Sequence, residues 1–219
     1  MSLKKLSINQ SIQFWNEKSI LSESNCRLPD YRFIHLLKSD SKVLDIGCGT
    51  GRVLHSLEKL GLTCPLFGID WAIKPLEVAM MKHPKLNLCT GDSRSLPFKN
   101  EIFDACILSA LLTCIPNEED IITLLNEVYR ITKLYGYLLI SDFLIDFQPR
   151  NLLRYIVGYI KYGKFGIFDA VLPFRHFTKH RLKNYLETTN FRIISFDCFR
   201  TVTCNNNNQM GVIIIGQRY

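Results

Sequence analysis

The sequence has no C-x-x-C pair, no secretory leader pattern and no apolar run near the ~20 residues a membrane-spanning helix needs. Its longest apolar stretch, around Ala105–Pro116, is much shorter, and no apolar segment follows the lysines of the N-terminus. These absences argue against a zinc framework, a disulfide-stapled secreted scaffold and a spanning helix. The eight cysteines (Cys26, Cys48, Cys64, Cys89, Cys106, Cys114, Cys198 and Cys204) are scattered and sit mostly in apolar runs. They read as small buried hydrophobes in a reducing compartment, with no metal site expected. A soluble cytoplasmic protein is the expectation. At 219 residues and 47% hydrophobic, the chain is long enough for one full core without such staples.

Charge is present but lopsided. Residues 144–219 hold 11 Lys/Arg and 4 Asp/Glu, so they carry the whole net charge of +7. An anionic substrate, a nucleic acid and a membrane surface all fit that asymmetry, as does a solvated basic face with no partner.

Short apolar runs alternate with helical patterns up to Phe143. "SKVLDIG", "PLFGID", "LNLCTGD", "FDACILSALL" and "GYLLISDF" read as strands. Between them, "RVLHSLEKLG", "KPLEVAMMKH" and "NEEDIITLLNEVYRITK" read as helices, the last with acidic residues at its start and basic residues at its end. Near-continuous apolar strands separated by helices predict a parallel sheet covered on both faces, with ligands at the carboxyl ends of the strands. After Phe143 the chain turns basic and aromatic, with eight Phe/Tyr between Leu144 and Phe177. A helix is expected near Arg150–Lys161, then an irregular stretch with Gly163 and Gly166, then a helix capped by Thr178. Two β-rich runs around "CNNNNQ" predict a C-terminal antiparallel hairpin. The chain is therefore assigned as one domain, 1–219, with an N-terminal helical segment 1–40 and a helical, aromatic lid insertion 144–177.

"VLDIGCGTGR" ends a strand in three glycines within five residues. A dinucleotide fingerprint needs a third glycine where Arg52 stands, and no Gly-Lys-Ser/Thr follows for a P-loop. The pattern favours a nucleoside ligand with a small polar tail. This motif resembles the first motif of class I S-adenosylmethionine (SAM)-dependent methyltransferases of the small-molecule group. The resemblance continues in order through "FGID", "CTGDSRSLPF", "FDACILSALLTCIP" and "NEVYRITKLYGYLLISDF", covering roughly 41–143. It implies a Rossmann-like, seven-stranded, mostly parallel sheet with helices on both faces and an antiparallel C-terminal hairpin.

The resemblance also implies roles. Gly47, Cys48, Gly49 and Gly51 would pass under the methionine part of SAM, and Asp45 would position its amino group. Asp70 would accept from the ribose hydroxyls, because a carboxylate takes two donors in parallel. Asp92 would accept from the adenine amino group and the Ser93 backbone would read the ring edge, with Ile69, Trp71 and Leu96 around the adenine. Ser109 and Ala110 would face the methyl donor. The product would be S-adenosylhomocysteine.

The family has no fixed general base. His176, His180 and Asp142 are the candidates, with His176 and Asp142 preferred, whereas His35, His55 and His83 look structural. Tyr155, Tyr159, Tyr162, Phe165, Phe168 and Phe174, with Phe14 and Trp15, would line an apolar lid. Arg150, Arg154, Lys161 and Lys164 would hold an anionic group on the acceptor or touch an anionic membrane. The leading expectation is methyl transfer by in-line displacement to O, N or C of a small molecule, with an aromatic or lipophilic, anionic acceptor expected. An RNA or protein methyltransferase and a non-catalytic SAM-binding adaptor stay open. An NAD-dependent oxidoreductase is disfavoured by Arg52.

Overall fold

Val43–Ile46 forms the first strand, β1, and all four of its side chains are buried, as a strand covered on both faces must be. The structure is a computed structural model that describes residues 8–18, 31–169, 172–202 and 208–219. Helices α1 (Ile8–Lys18) and the one-turn α2 (Tyr31–Ile34) precede the sheet. The alternation continues with α3 (Arg52–Lys59), β2 (Leu66–Asp70), α4 (Ile73–Lys82), β3 (Asn87–Thr90), β4 (Phe103–Ser109), α5 (Glu118–Ile131) and β5 (Thr132–Phe143). Then come α6 (Pro149–Tyr162), β6 (Ile167–Asp169), β7 (Pro173–Arg175), α7 (Lys179–Thr188), β8 (Phe191–Val202) and β9 (Asn208–Arg218).

The main sheet has the order β3-β2-β1-β4-β5-β9-β8. β9 is antiparallel to both β5 and β8, and the other pairs are parallel. The expected architecture is therefore found. Strand parity sorts the core. Leu44, Ile46, Cys106, Leu108, Leu138 and Ile140 lie in one cluster with residues of α5 and α7. Val43, Ala105, Ile107 and Leu139 lie in another with Phe33, Val53, Leu54, Leu57 and Leu76 of α2, α3 and α4. Each fully buried Val, Leu, Ile or Phe among them contributes roughly 1.5–3 kcal/mol. Thr178 caps α7 as expected, its hydroxyl accepting from the Arg181 amide at 3.1 Å.

Two segments differ from the sequence expectation. The stretch after Gly163 holds a small antiparallel pair, β6–β7. Its β-branched and aromatic residues pack on α6, where Gly158 lets the backbone of Ile167 approach closely. Strand β5 also begins earlier than its apolar run, with a register shift opposite Phe103/Ala105 and Tyr135 at φ 62°. The tip between β8 and β9, with Cys204, and Cys26 in the N-terminal segment lie outside the described residues. Among those described, Cys48, Cys64 and Cys106 are buried free thiols, while Cys198 is exposed. No helix among the described residues is long and apolar enough to cross a membrane.

Candidate active site

The glycine loop leaves the carboxyl end of β1 and turns into α3. Gly47 and Gly51 hold φ 74° and 76°, in the left-handed region that disfavours side chains. The amides of Gly47 and Cys48 donate to the Ile69 carbonyl at 2.8 and 3.2 Å, tying the loop to β2. A side chain at Gly51 would meet Leu86, Ala79 and His83, so its bareness serves packing against α4 and the segment after it. A side chain at Gly49 would meet nothing within 4 Å. Gly49 is thus the loop position with open space in front of it.

Asp45 lies directly behind this loop. It is buried, and neither carboxylate oxygen has a hydrogen-bond partner among the described residues. Burial pushes its carboxyl up to about 8, against the pull of the Arg52 guanidinium. A buried carboxyl with no donor is costly unless it stays protonated or meets a cation. Asp70 is arranged differently. Its Oδ2 accepts from the Gly49 amide and its Oδ1 from the Ala72 amide, both at 2.9 Å. Burial raises its carboxyl above the usual range, and these backbone bonds oppose that rise. The Trp71 amide is a third backbone donor, which leaves about one of the carboxylate's four acceptor sites for an outside donor.

Asp92 is engaged by its own neighbour. Arg94 grips it through Nε and Nη2, the latter at 2.6 Å, and also reaches Asp120 of α5. That guanidinium holds the Asp92 carboxyl below its usual range. Any contact to adenine would have to share it. Trp71, Ser93 and Ser109 are half-buried. Ile69 and Leu96, expected beside Trp71 around the adenine, are members of the core on the α5 face.

Ser109 pairs with Ser141 at the carboxyl ends of β4 and β5, and Ala110 turns away with φ 53°. Next to Ser141, Asp142 is fully buried, accepting from the amides of Thr113 at 3.1 Å and Phe143 at 2.7 Å. Burial raises its carboxyl to about 7. His176 is buried too, with Nδ1 2.7 Å from the Tyr155 hydroxyl and its ring against Phe143 and Phe168. Burial first, and Arg154 second, push its imidazole down to about 3. His180 is exposed on α7. The structure therefore brings His176 into the aromatic insertion and Asp142 to the strand ends.

The aromatic residues divide. Tyr155 and Phe168 are buried, whereas Tyr159 faces outward. Trp15 of α1 meets Phe174 edge-on at 6.1 Å, and Asn16 accepts from the Lys74 amide of α4 at 3.0 Å. The N-terminal helix thus reaches the insertion.

Two groupings were not read from the sequence. Arg175 is fully buried and donates to the Pro116 carbonyl at 2.6 Å, while its own carbonyl accepts from the Thr113 hydroxyl at 2.7 Å. It pins the loop after β4 to the insertion. His55 and Glu58 of α3 stand with His83 after α4, their candidate ligand atoms within 4.8 Å of one another. The two imidazoles stack at 4.1 Å, which aims their in-plane lone pairs side by side rather than at one point. As they stand, these groups pack α3 against α4. Their sequence spacing, 55-58-83, carries no signal of the contact.

A buried unpaired acid, a backbone-held carboxylate with acceptor capacity left and an open glycine suit a ligand that offers a cation, a hydroxyl and little bulk between them. Residues 44–140 match the family described as methyltransferase domain. A demethylmenaquinone methyltransferase of Streptomyces avermitilis is 35% identical over 47% of this chain and 42% of its own length. A tRNA (carboxymethyluridine(34)-5-O)-methyltransferase of Arabidopsis thaliana is 28% identical over 55% of this chain and 28% of its own length. The chain thus spans less than half the length of these curated relatives. A solved SAM-dependent methyltransferase structure from Methanosarcina mazei superposes with a TM-score of 0.83 at 24% identity, covering 88% of this chain and 99% of that one.

Proposed function

We propose that this protein, whose residues 44–140 match a family described as methyltransferase domain, is a class I SAM-dependent methyltransferase that transfers the methyl group of SAM to a small, lipophilic acceptor. The observation that carries the reading is Asp45, a buried carboxyl without a partner behind a glycine loop. SAM supplies an electrophilic methyl group on a cationic sulfur, together with an ammonium group that Asp45 would pair with. Asp70, already oriented by the Gly49 and Ala72 amides, would accept from the ribose hydroxyls. Gly47, Cys48, Gly49 and Gly51 shape the loop, and Trp71, Asp92, Ser93 and Ser109 complete the proposed binding set.

Holding donor and acceptor in line can supply ~7–11 kcal/mol of the barrier, so positioning does most of the work. Where the acceptor must lose a proton, Asp142 and His176 are the candidate bases; Asp142 is buried at the strand ends and held by the Thr113 and Phe143 amides, and His176 has Nδ1 engaged by Tyr155. We assign His176 to positioning Tyr155 and Phe143. The aromatic insertion, buried around Phe143, Phe168 and His176, supports a lipophilic acceptor. So does the name of the Streptomyces relative, whose own acceptor is demethylmenaquinone. The second reading is an RNA acceptor, supported by the Arabidopsis relative and by the basic C-terminal part.

The test is calorimetric titration with S-adenosylhomocysteine beside Asp70→Ala and an NADH control. Binding by the wild type, loss of at least about tenfold in the variant and no heat with NADH are expected. An Asp70→Ala protein that binds equally well would sink the assignment, and salt-dependent RNA affinity would move the second reading forward.

A further inference from the structure

Helix α6 wears its apolar stripe on the outside. Leu153, Ile156, Val157 and Ile160 follow the i, i+3, i+4, i+7 spacing of one helix face, and all four are exposed, Leu153 at 64% and Ile160 at 78%. The opposite face, Asn151, Tyr155 and Gly158, is the one buried against the rest of the protein. Gly158 seats the helix on β6 and Tyr155 bonds His176, so the helix cannot simply roll its stripe inward. The patch extends past both helix ends. Phe147 is 69% exposed and stacks with Phe165, which is itself partly exposed.

Cations border this surface. Arg150, Lys161 and Lys164 are all exposed, and helix α6 has no acidic residue. An apolar helical face flanked by Lys/Arg is the chemistry of a helix lying in the plane of an anionic bilayer, its side chains among the acyl chains and its cations at the headgroups. A second copy would account for the apolar stripe but would set its own cations against these.

We propose that α6, with Phe147 and Phe165, is a docking face for an anionic lipid surface. The face stands on the exposed side chains. Its purpose, access to a lipophilic acceptor through the insertion that α6 closes, rests on the transfer reading above.

The experiment is cosedimentation of the full chain with large vesicles. One set is phosphatidylcholine with phosphatidylglycerol, the other phosphatidylcholine alone. Leu153→Glu/Ile160→Glu and Arg150→Glu/Lys164→Glu are run alongside. Each variant is first checked for wild-type circular dichroism and S-adenosylhomocysteine binding, which separates failure of docking from failure of the SAM site. We expect binding to the anionic vesicles that falls with added salt, and at least about a tenfold loss in both variants. Three results would overturn the proposal. They are no binding of wild type to anionic vesicles, equal binding by the Leu153→Glu/Ile160→Glu protein, and a vesicle-free wild-type dimer that this variant splits, which would make the face an interface between copies.

Discussion

Asp45→Asn separates what Asp45 does for the fold from what it does for the ligand. Its carboxyl moves from 3.8 in the unfolded chain to about 8 in the fold. Between these values the unfolded chain has released the proton and the folded protein has kept it. Stability from this group is therefore fully present below about pH 4 and is lost as pH rises toward 8. At ~1.36 kcal/mol per unit, the cost at pH 7 is of the order of 4 kcal/mol. Asparagine is close in shape and does not titrate, but its unpartnered amide costs ~1–3 kcal/mol. The ligand-free variant is thus more stable than wild type by roughly 1–3 kcal/mol at pH 7, a gain of several degrees at ~2–4 °C per kcal/mol. The gap narrows sharply at pH 5. Ligand binding behaves in the opposite way. An ammonium group beside Asp45 favours the carboxylate, so S-adenosylhomocysteine releases a proton from the wild type near pH 7. Thermal melts from pH 5 to 8 and calorimetry in two buffers of different ionisation heat read both effects. A melting difference flat with pH, or wild-type heats equal in the two buffers, refutes the reasoning.

His176 has the opposite sign. With its imidazole pushed from 6.5 to about 3, the fold keeps it neutral while the unfolded chain takes up a proton, so its stability is present above about 6.5 and lost as pH falls. His176→Gln should therefore reduce the loss of stability between pH 7 and 5 by about 2 kcal/mol, measured by urea melts at both pH values; an unchanged loss would contradict its buried, neutral state. Gly158→Ala would place a methyl group 1.7 Å from the Ile167 carbonyl oxygen, so α6 must lift from β6. A loss of about 2 kcal/mol, or roughly 4–8 °C, with S-adenosylhomocysteine affinity retained is expected, and a wild-type melting temperature would show that α6 is not seated there.

The strands and the glycine loop were legible because their signals are local. Five apolar runs and three glycines sit within short windows, and burial on both faces follows from their composition. The state of Asp45 was not legible, because its lack of a partner depends on how α3 and β2 close around it. Asp92 was partly legible. Its clamp is only two residues away at Arg94, a spacing that an Asp turn brings together. The burial of His176, a candidate base from the sequence, comes from Tyr155, Phe143 and Phe168, which lie 21, 33 and 8 positions away.

Helix α6 shows the deeper limit of a periodic pattern. Leu153, Ile156, Val157 and Ile160 make the most core-like stripe of the helix, and spacing alone would send that face inward. Burial went instead to Asn151, Tyr155 and Gly158. Periodicity states that an apolar face exists, and close approach decides which face a neighbour covers. Only Gly158 admits the Ile167 backbone, and only the buried side offers Tyr155 a nitrogen at His176. Turning the apolar stripe inward would drive Val157 or Ile160 into that backbone and strand the Tyr155 hydroxyl. The exposed stripe is therefore a consequence of how α6 is seated on β6 and on His176.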